Sequence, residues 1–416
     1  MNENVSAFLQ YGYLPQRGGT ISSLPFDIDI LRSTHTISDK NSSEDYLIEK
    51  GAELLHNALT SSIASGSNKH VVPLSGGLDS RAILGALLDR GLGEQIVTVT
   101  FGTPGTYDYD IGNLIGESIS VKHKSINLNN VKVEQEVLYK TIQNGTDWTF
   151  LFDAFYNSII RKEFGKDCVY WSGFMGGELA GSHLTKKPVT NFKRAKEIFA
   201  DKNALPNANI YKHPEFDRVS VLPEKPLIDR DVLSYLEQLD FSIRQTQYIQ
   251  PTVITSNFEY QAPFLTEEWI QFILGVPRQY RIGMKLYKQI LRRLWPDLFN
   301  LPTETNYGLP LTATDHQIFF RKLLRAGLSQ ARRFFPWFPW PPRRSTNYID
   351  FDEAIRFRED YQTLVRNSLT NLNQRPIADW IDNDSLWRIH QSKNRDLAYP
   401  LLLLTALDLN LRVEGR

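Results

Sequence analysis

Ser75-Gly76-Gly77-Leu78-Asp79-Ser80 packs two hydroxyls, two glycines and a carboxylate into six residues. Glycines let backbone N–H groups approach an anion closely, and a helix starting at the same place aims its positive end there. Ser75 and Ser80 add hydroxyl donors, while Asp79 can hold a metal ion that bridges phosphates. The stretch reads as a phosphate cradle. A second glycine-rich turn, Ser172-Gly173-Phe174-Met175-Gly176-Gly177-Glu178, carries one acid, Glu178, with Gly181 after it.

Both turns need strands to carry them. Val71 to Leu74 is a short apolar run, as a buried parallel strand should be. Ile83, Leu84, Leu87 and Leu88 then line one helical face, with Gly91 at the C-terminal cap. Ile96 to Phe101 is a second β-rich run ending at Gly102. This strand–helix–strand order predicts a right-handed crossover and puts the first loop at the carboxyl edge of a parallel sheet, where ligands bind. The pattern continues with a helix over 110–120, a strand over 123–128, a helix over 150–164 and a strand at Val169-Tyr170-Trp171.

Before these elements, residues 1–40 read as an irregular, linker-like segment, with a turn at Gly18-Gly19. A helix follows over 43–63, capped within Asn41 to Ser43. Residues 186–235 read as polar surface connections. Beyond them helices are expected over 231–249, 266–275, 284–295, 314–330, 350–371 and 398–412. The expected division is 1–40 linker, 41–200 α/β nucleotide lobe and 201–416 mainly helical lobe.

The 416 residues suffice for a full core. Lys+Arg 47 against Asp+Glu 47 leaves no global field to attract nucleic acid. One cysteine, Cys168, excludes an internal disulfide framework and four-cysteine zinc sites. With neither a signal-peptide pattern nor an apolar run long enough to span a bilayer, a cytoplasmic location is expected. The stretch Phe334 to Arg344 interleaves aromatics and prolines after a run of basic residues. It reads either as a docking surface for a partner or anionic membrane, or as a stiff loop packed on the helical lobe.

No lysine follows the glycines of the first loop, so it is not the common nucleoside-triphosphatase loop, and it lacks the three spaced glycines of a dinucleotide fingerprint. The form Ser-Gly-Gly-x-Asp-Ser after a strand resembles the signature of PP-loop ATP pyrophosphatases. More narrowly, the chain resembles the synthetase domain of the asparagine synthetase family. Tyr11 to Thr20 resembles the linker into that domain, and Asp108, Gly112 and His123 fall at the family's spacing. Ser172 to Gly181 resembles its Ser-Gly-Glu-Gly-Ser-Asp-Glu turn, and Phe258 to Leu265 its Val-Glu-Ala-Arg-Val-Pro-Phe-Leu. Lys285, Lys288, Ile290, Leu291 and Arg292 match Lys-x-x-Lys-x-Ile-Leu-Arg, and Tyr307 to Pro310 resembles Phe-x-x-Pro.

The resemblance implies an α/β fold of the adenine-nucleotide α-hydrolase type with a large helical C-terminal portion. It implies ATP and Mg2+ as cofactors and an AMP- and pyrophosphate-forming amide ligase that adenylates a carboxylate before nitrogen attacks. Ser75, Gly76, Gly77, Leu78, Asp79, Ser80, Gly102, Ser172 and Gly173 are expected to hold nucleotide, and Asp79 and Glu178 metal. Glu178, Glu259 and Lys288 are the expected catalytic groups. Residue 2 is Asn2, where the family's glutaminase domain has its cysteine nucleophile. Nitrogen is therefore expected from ammonia, a substrate amine or a glutaminase or amine-donor partner.

Three positions depart from the family. Phe174 stands for an acidic residue or tyrosine, Gly177 for the second metal carboxylate, and Glu304 for a lysine. Glu178 is the neighbouring acid that can reach the metal instead of Gly177, and Lys285, Lys288 or Arg81 are the candidate replacement cations. Gln261 replaces an arginine, which with Phe174 points as much to a modified carboxylate acceptor as to aspartate. A nucleotide-binding homologue that has lost ligase chemistry and serves as a regulatory or scaffold subunit is the alternative. His123, Trp380, Trp387 and His390 read as structural.

Overall fold

The computed structural model describes residues 3–15, 24–37, 43–63, 69–144, 148–228, 232–255, 258–335, 338, 340, 343–344, 346–392 and 395–415. The Gly18-Gly19 turn, Asn41, Asn2 and much of the aromatic stretch, including Trp337, lie outside them.

Five parallel strands form one sheet in the order β3-β2-β1-β4-β5. They are β1 (Lys69–Pro73), β2 (Ile96–Gly102), β3 (Lys122–Asn127), β4 (Cys168–Trp171) and β5 (Glu259–Gln261). β1 is central, and its side chains alternate between two apolar faces. Val72 faces the helices Glu44–Ser61, Asp79–Asp89 and Lys285–Leu294, with Ile83 and Ile290 in the same cluster. Val71 faces the other way, with Val97, Val99 and Ile160. Burial on both faces explains why β1 and β2 read as continuous apolar runs.

The chain reaches β2 from β1 on one side and β4 from β3 on the other. Strand order therefore reverses between β1 and β4, and the loops leaving these two strands diverge to open a crevice. The Ser75 loop and the Ser172 turn are those two loops. Gly112 makes the fit behind the first loop: a Cβ there would lie 2.6 Å from Thr100 Oγ1 and 2.7 Å from the Leu74 carbonyl.

A second core surrounds the helix Ala398–Val413, whose residues from Leu401 to Leu411 are buried on every side. A helix apolar all round belongs inside a protein, not on its surface. It packs against helices Glu359–Asn373, Gln135–Asn144 and Glu3–Tyr11. That last contact corrects the linker reading of 1–40, because Val5, Phe8 and Leu9 are wholly buried. Interspersed polar residues obscured the short helical repeat.

Two further boundaries shift. Helix Phe192–Asn203 buries Ala195 and Phe199 within the stretch read as surface connection. β5 completes the sheet from inside the region assigned to the helical lobe, so the division near residue 200 cuts across one sheet. Three residues paired only with β4 give too short a pattern to be read from sequence. The segment expected as one helix over 231–249 is a short α-helix, Tyr235–Leu239, continued by a π-helix over Asp240–Ile249. Residues 350–371 split into Phe351–Phe357 and Glu359–Asn373. Among the described residues no helix is long and apolar enough to cross a membrane.

Candidate active site

Asp79 opens the helix Asp79–Asp89, and its carboxylate crosses the crevice to the β4 turn. Oδ2 accepts from the Gly177 backbone N–H at 3.1 Å, and Oδ1 accepts from the Tyr287 hydroxyl at 2.7 Å. Gly173 and Gly176 make this approach possible. A Cβ would lie 2.8 Å from Asp79 Cβ at Gly173 and 2.5 Å from Asp79 Cγ at Gly176. Both glycines are thus required by the aspartate opposite. Met175 between them takes φ 69°, which turns the chain into the short helix Gly176–Leu179. Arg281 holds that helix by donating to the Leu179 carbonyl at 2.8 Å, and it pairs with Glu237 at 2.6 Å, both side chains being buried.

Burial and neutral partners leave Asp79 without a compensating cation. Desolvation pushes its carboxyl up to about 7, and the nearby Glu178 adds to the rise. Glu178 is itself raised by burial, opposed by the charge of His183. His183 Nδ1–H donates to Asp240 Oδ2 at 2.7 Å, and that bond raises the proton affinity of the imidazole.

The other end of the loop meets a second pair of acids. The Gly76 N–H donates to Asp108 Oδ1 at 3.1 Å, and the Gly76 carbonyl accepts from the Glu304 N–H at 2.9 Å. Asp108 and Glu304 share a side-chain hydrogen bond. Burial, then the charge of Asp108, raise Glu304 to about 7, while Arg325 opposes the rise. Burial raises Asp108 as well, so both carboxyls disfavour the ionised form here. Ser75 Oγ accepts from Gly77 N–H at 3.1 Å, and Ser80 Oγ accepts from Ser75 N–H at 3.4 Å.

Between these two acidic centres lies a cavity of about 310 Å³. Ser75, Gly77, Leu78, Asp79, Ser80, Asp108 and Gly173 line one side, and Phe101, Asn347 and Tyr348 the other. Phe101 and Tyr348 stack at 5.9 Å with planes 2° apart. The lining contains carboxylates, hydroxyls, backbone amides and aromatic rings, with no lysine or arginine among the described residues. Gly102 ends β2 beside Phe101, and Ser172 ends β4 beside Gly173. The loop residues expected to hold nucleotide are thus gathered at one crevice.

Of the expected catalytic groups, Glu178 lies near Asp79, whereas Glu259 and Lys288 stand elsewhere. Glu259 is exposed at the start of β5, in register with Val169 and through it with His70. That level of the sheet lies several residues before the strand ends that carry the loops, which corrects its assignment to the pocket. Lys288 follows Tyr287, but its strongest charged neighbours are Lys322 and Asp315, and burial lowers its proton affinity. It therefore turns away from Asp79 on the same helix. Lys285 pairs with Glu44 at the surface. Arg81 is fully buried and donates to the carbonyls of Leu298, Leu301 and Pro302, so it is not a replacement cation. His123 bonds Thr98 and Asn113, Trp380 donates to the Tyr211 carbonyl, and buried His390 accepts from the Leu397 N–H beside Asp352 and Asp396.

Sequence reasoning missed Tyr287, although Leu286, Tyr287, Ile290 and Leu291 mark the buried face of the helix Lys285–Leu294. It also missed Tyr348, which no periodicity announces. Phe174 is buried in the apolar cluster, and its N–H donates to Ser172 Oγ, so it packs rather than reacts. At Gly177 a Cβ would keep ordinary contact distances, 3.6 Å to Ser182 Oγ and 3.7 Å to Asp79 Oδ2. Compared with known proteins, the chain matches no family model and no curated protein.

Proposed function

We propose that the crevice between β1 and β4 binds ATP with Mg2+ and that the protein is an amide ligase forming AMP and pyrophosphate. One observation carries the reading. A desolvated aspartate stands at the switch point of an all-parallel sheet, clamped between the loop Ser75–Ser80 and the β4 turn. The resemblance to PP-loop synthetases supplies the reaction class, and a fold of that type agrees with the strand order.

The residues present fit one divalent cation. Among the described residues no cationic side chain lines the cavity, and Asp79 has a proton affinity near neutrality that a bound cation would reverse. Asp79 would hold the ion, with Glu178 the nearest further acid, and Mg2+ supplies neutralisation of phosphate oxygens. The Ser75 and Ser80 hydroxyls, whose oxygens accept from the Gly77 and Ser75 N–H groups, keep their own protons to donate to pyrophosphate. Phe101 and Tyr348 offer apolar ring surface for a base.

In the reaction a substrate carboxylate oxygen attacks the α-phosphorus, and the bond from that phosphorus to the bridging oxygen breaks, releasing pyrophosphate. Nitrogen then attacks the acyl carbon, the acyl–oxygen bond breaks and AMP leaves. The nitrogen's proton requires an acceptor, and Glu178 is the free acid in the β4 turn. The nitrogen comes from ammonia, a substrate amine or a partner. ATP–pyrophosphate exchange with a panel of carboxylates tests the reading. Exchange with one acceptor, lost in Asp79→Ala, is the expected result; no exchange with any acceptor overturns it.

A second reading has a specific observation in its favour. Asp108 already occupies the Gly76 N–H, and Glu304 brings a carboxyl where phosphate charge would develop. A nucleotide-binding homologue without ligase chemistry accommodates both. ATP binding by calorimetry without exchange would select it.

A further inference from the structure

The helix Asp315–Phe334 is built the wrong way round for a surface helix. It starts at a capping box, in which Thr314 and Gln317 satisfy each other's backbone N–H groups, so its first turn is firmly specified. A surface helix normally turns its apolar stripe to the core and its charges to water. Here Phe319, Phe320, Leu323, Leu324, Leu328 and Phe334 are each at least half exposed. The basic edge faces the body instead. Lys322 Nζ lies 5.6 Å and Arg325 Cζ 5.5 Å from the centre of the Tyr307 ring. Six large apolar side chains at helical spacing are thereby held outward along one face.

Charge and composition indicate what covers that face. Residues 315–344 contain seven of the chain's 47 lysines and arginines but only Asp315 of its 47 acids. In a chain of formal net charge +0 this is a strong local segregation. Phe334 to Trp340 then supplies five aromatics in seven residues, two of them tryptophan. Arginines flanking an exposed apolar face, with tryptophan at its end, match the boundary between lipid headgroups and acyl chains. An acidic protein partner would match the charge but not the breadth of the apolar face.

We propose that the helix Asp315–Phe334 docks the protein onto an anionic lipid bilayer. The helix lies in the plane of the interface, its phenylalanines and leucines among the acyl chains and Arg321 at the headgroups. Both ends of the segment are anchored beside the candidate active site. Tyr307, under Lys322 and Arg325, donates its N–H to the Glu304 carbonyl at 2.8 Å, and the Arg344 carbonyl accepts from the Tyr107 N–H at 2.7 Å. Docking therefore sets the crevice close to the membrane surface.

Co-sedimentation of the full chain with lipid vesicles tests this directly. Vesicles of phosphatidylcholine mixed with phosphatidylglycerol should bind at least about tenfold better than phosphatidylcholine alone, and added salt should weaken the binding. The double variant Phe320→Ser, Leu324→Ser should lose vesicle binding while keeping the wild-type circular dichroism and melting temperature, since both side chains are exposed. Arg321→Glu should weaken binding to mixed vesicles alone. No binding to mixed vesicles overturns the proposal, as does binding that the double variant leaves unchanged. A concentration-dependent dimer on light scattering, abolished by the double variant in a chain that ignores vesicles, would assign the face to a second copy and also overturn it.

Discussion

The loop Ser75–Ser80 is held at both ends by carboxyl groups, and the two ends are built differently. At one end Asp79 stands alone among neutral donors, the Tyr287 hydroxyl and the Gly177 N–H. At the other, Asp108 and Glu304 face each other around Gly76. The solitary acid lacks a cation that would let it ionise; at the paired acids the charge of Asp108 adds to burial in raising Glu304. An acid that stays uncompensated suits a site that receives a cation. A pair that disfavours ionisation suits a site that stays closed until it is deprotonated or displaced.

The largest expected effect tests whether the solitary acid is a ligand site. Gly176→Ala would place a methyl 2.5 Å from Asp79 Cγ. Because the three atoms nearest that methyl all belong to the clamped Asp79 carboxylate, it should reduce Mg-dependent ATP binding by about a hundredfold or more and cost roughly 1–3 kcal/mol of stability, read by calorimetry and urea unfolding. Wild-type affinity in this variant would refute the clamp.

The second effect depends on pH. Asp79 titrates near 3.8 when unfolded and near 7 when folded. A raised folded value means that the stability contribution is complete below 3.8 and is lost as pH rises through 7. Asp79→Asn keeps both hydrogen bonds, with the amide donating to the Tyr287 oxygen and its carbonyl accepting from Gly177. Its stability relative to wild type should therefore grow between pH 4 and 7 by up to a few kcal/mol and level off above, when melts are compared across pH without Mg2+.

Glu304→Lys breaks the comparison at the other end by replacing the pair of acids with an ion pair to Asp108. The lysine would also face the pyrophosphate donors, and ATP affinity should rise about tenfold. Unchanged affinity would place the pair outside the nucleotide's reach. The smallest effect is expected from Gly177→Asp, whose Cβ meets only ordinary contacts and points beside Asp79 Oδ2. A few-fold gain in Mg2+ affinity, read by titration of metal into the nucleotide-loaded protein, is the predicted outcome.

The parallel sheet and the position of the crevice were legible because β1 and β2 are buried on both faces and each is punctuated by glycine. Glu3–Tyr11 was not legible, since its burial depends on the helix Ala398–Val413, nearly four hundred residues away in sequence. In the site, Asp79 announced itself through its glycine-rich loop. Glu259 did not behave as its motif suggested, because strand register, invisible in one sequence, sets its height on the sheet. The Asp108–Glu304 pair likewise joins residues from distant segments, and only the folded chain brings their carboxyls together.

Arg81 gives the crevice a stiff wall and a compliant one. Its guanidinium ties the first turn after the loop to the carbonyls of Leu298, Leu301 and Pro302. Each such charge-assisted bond is worth roughly 1.5–3 kcal/mol when buried. The loop and the segment leading to Glu304 therefore move as one block. The opposite wall, at Tyr348, is held by ring contacts with Phe101 at 5.9 Å and Tyr156 at 4.9 Å and by a hydrogen bond from Thr103 to its carbonyl. Ring contacts are less directional than three charge-assisted bonds to anchored carbonyls, so the Tyr348 wall is the more compliant of the two.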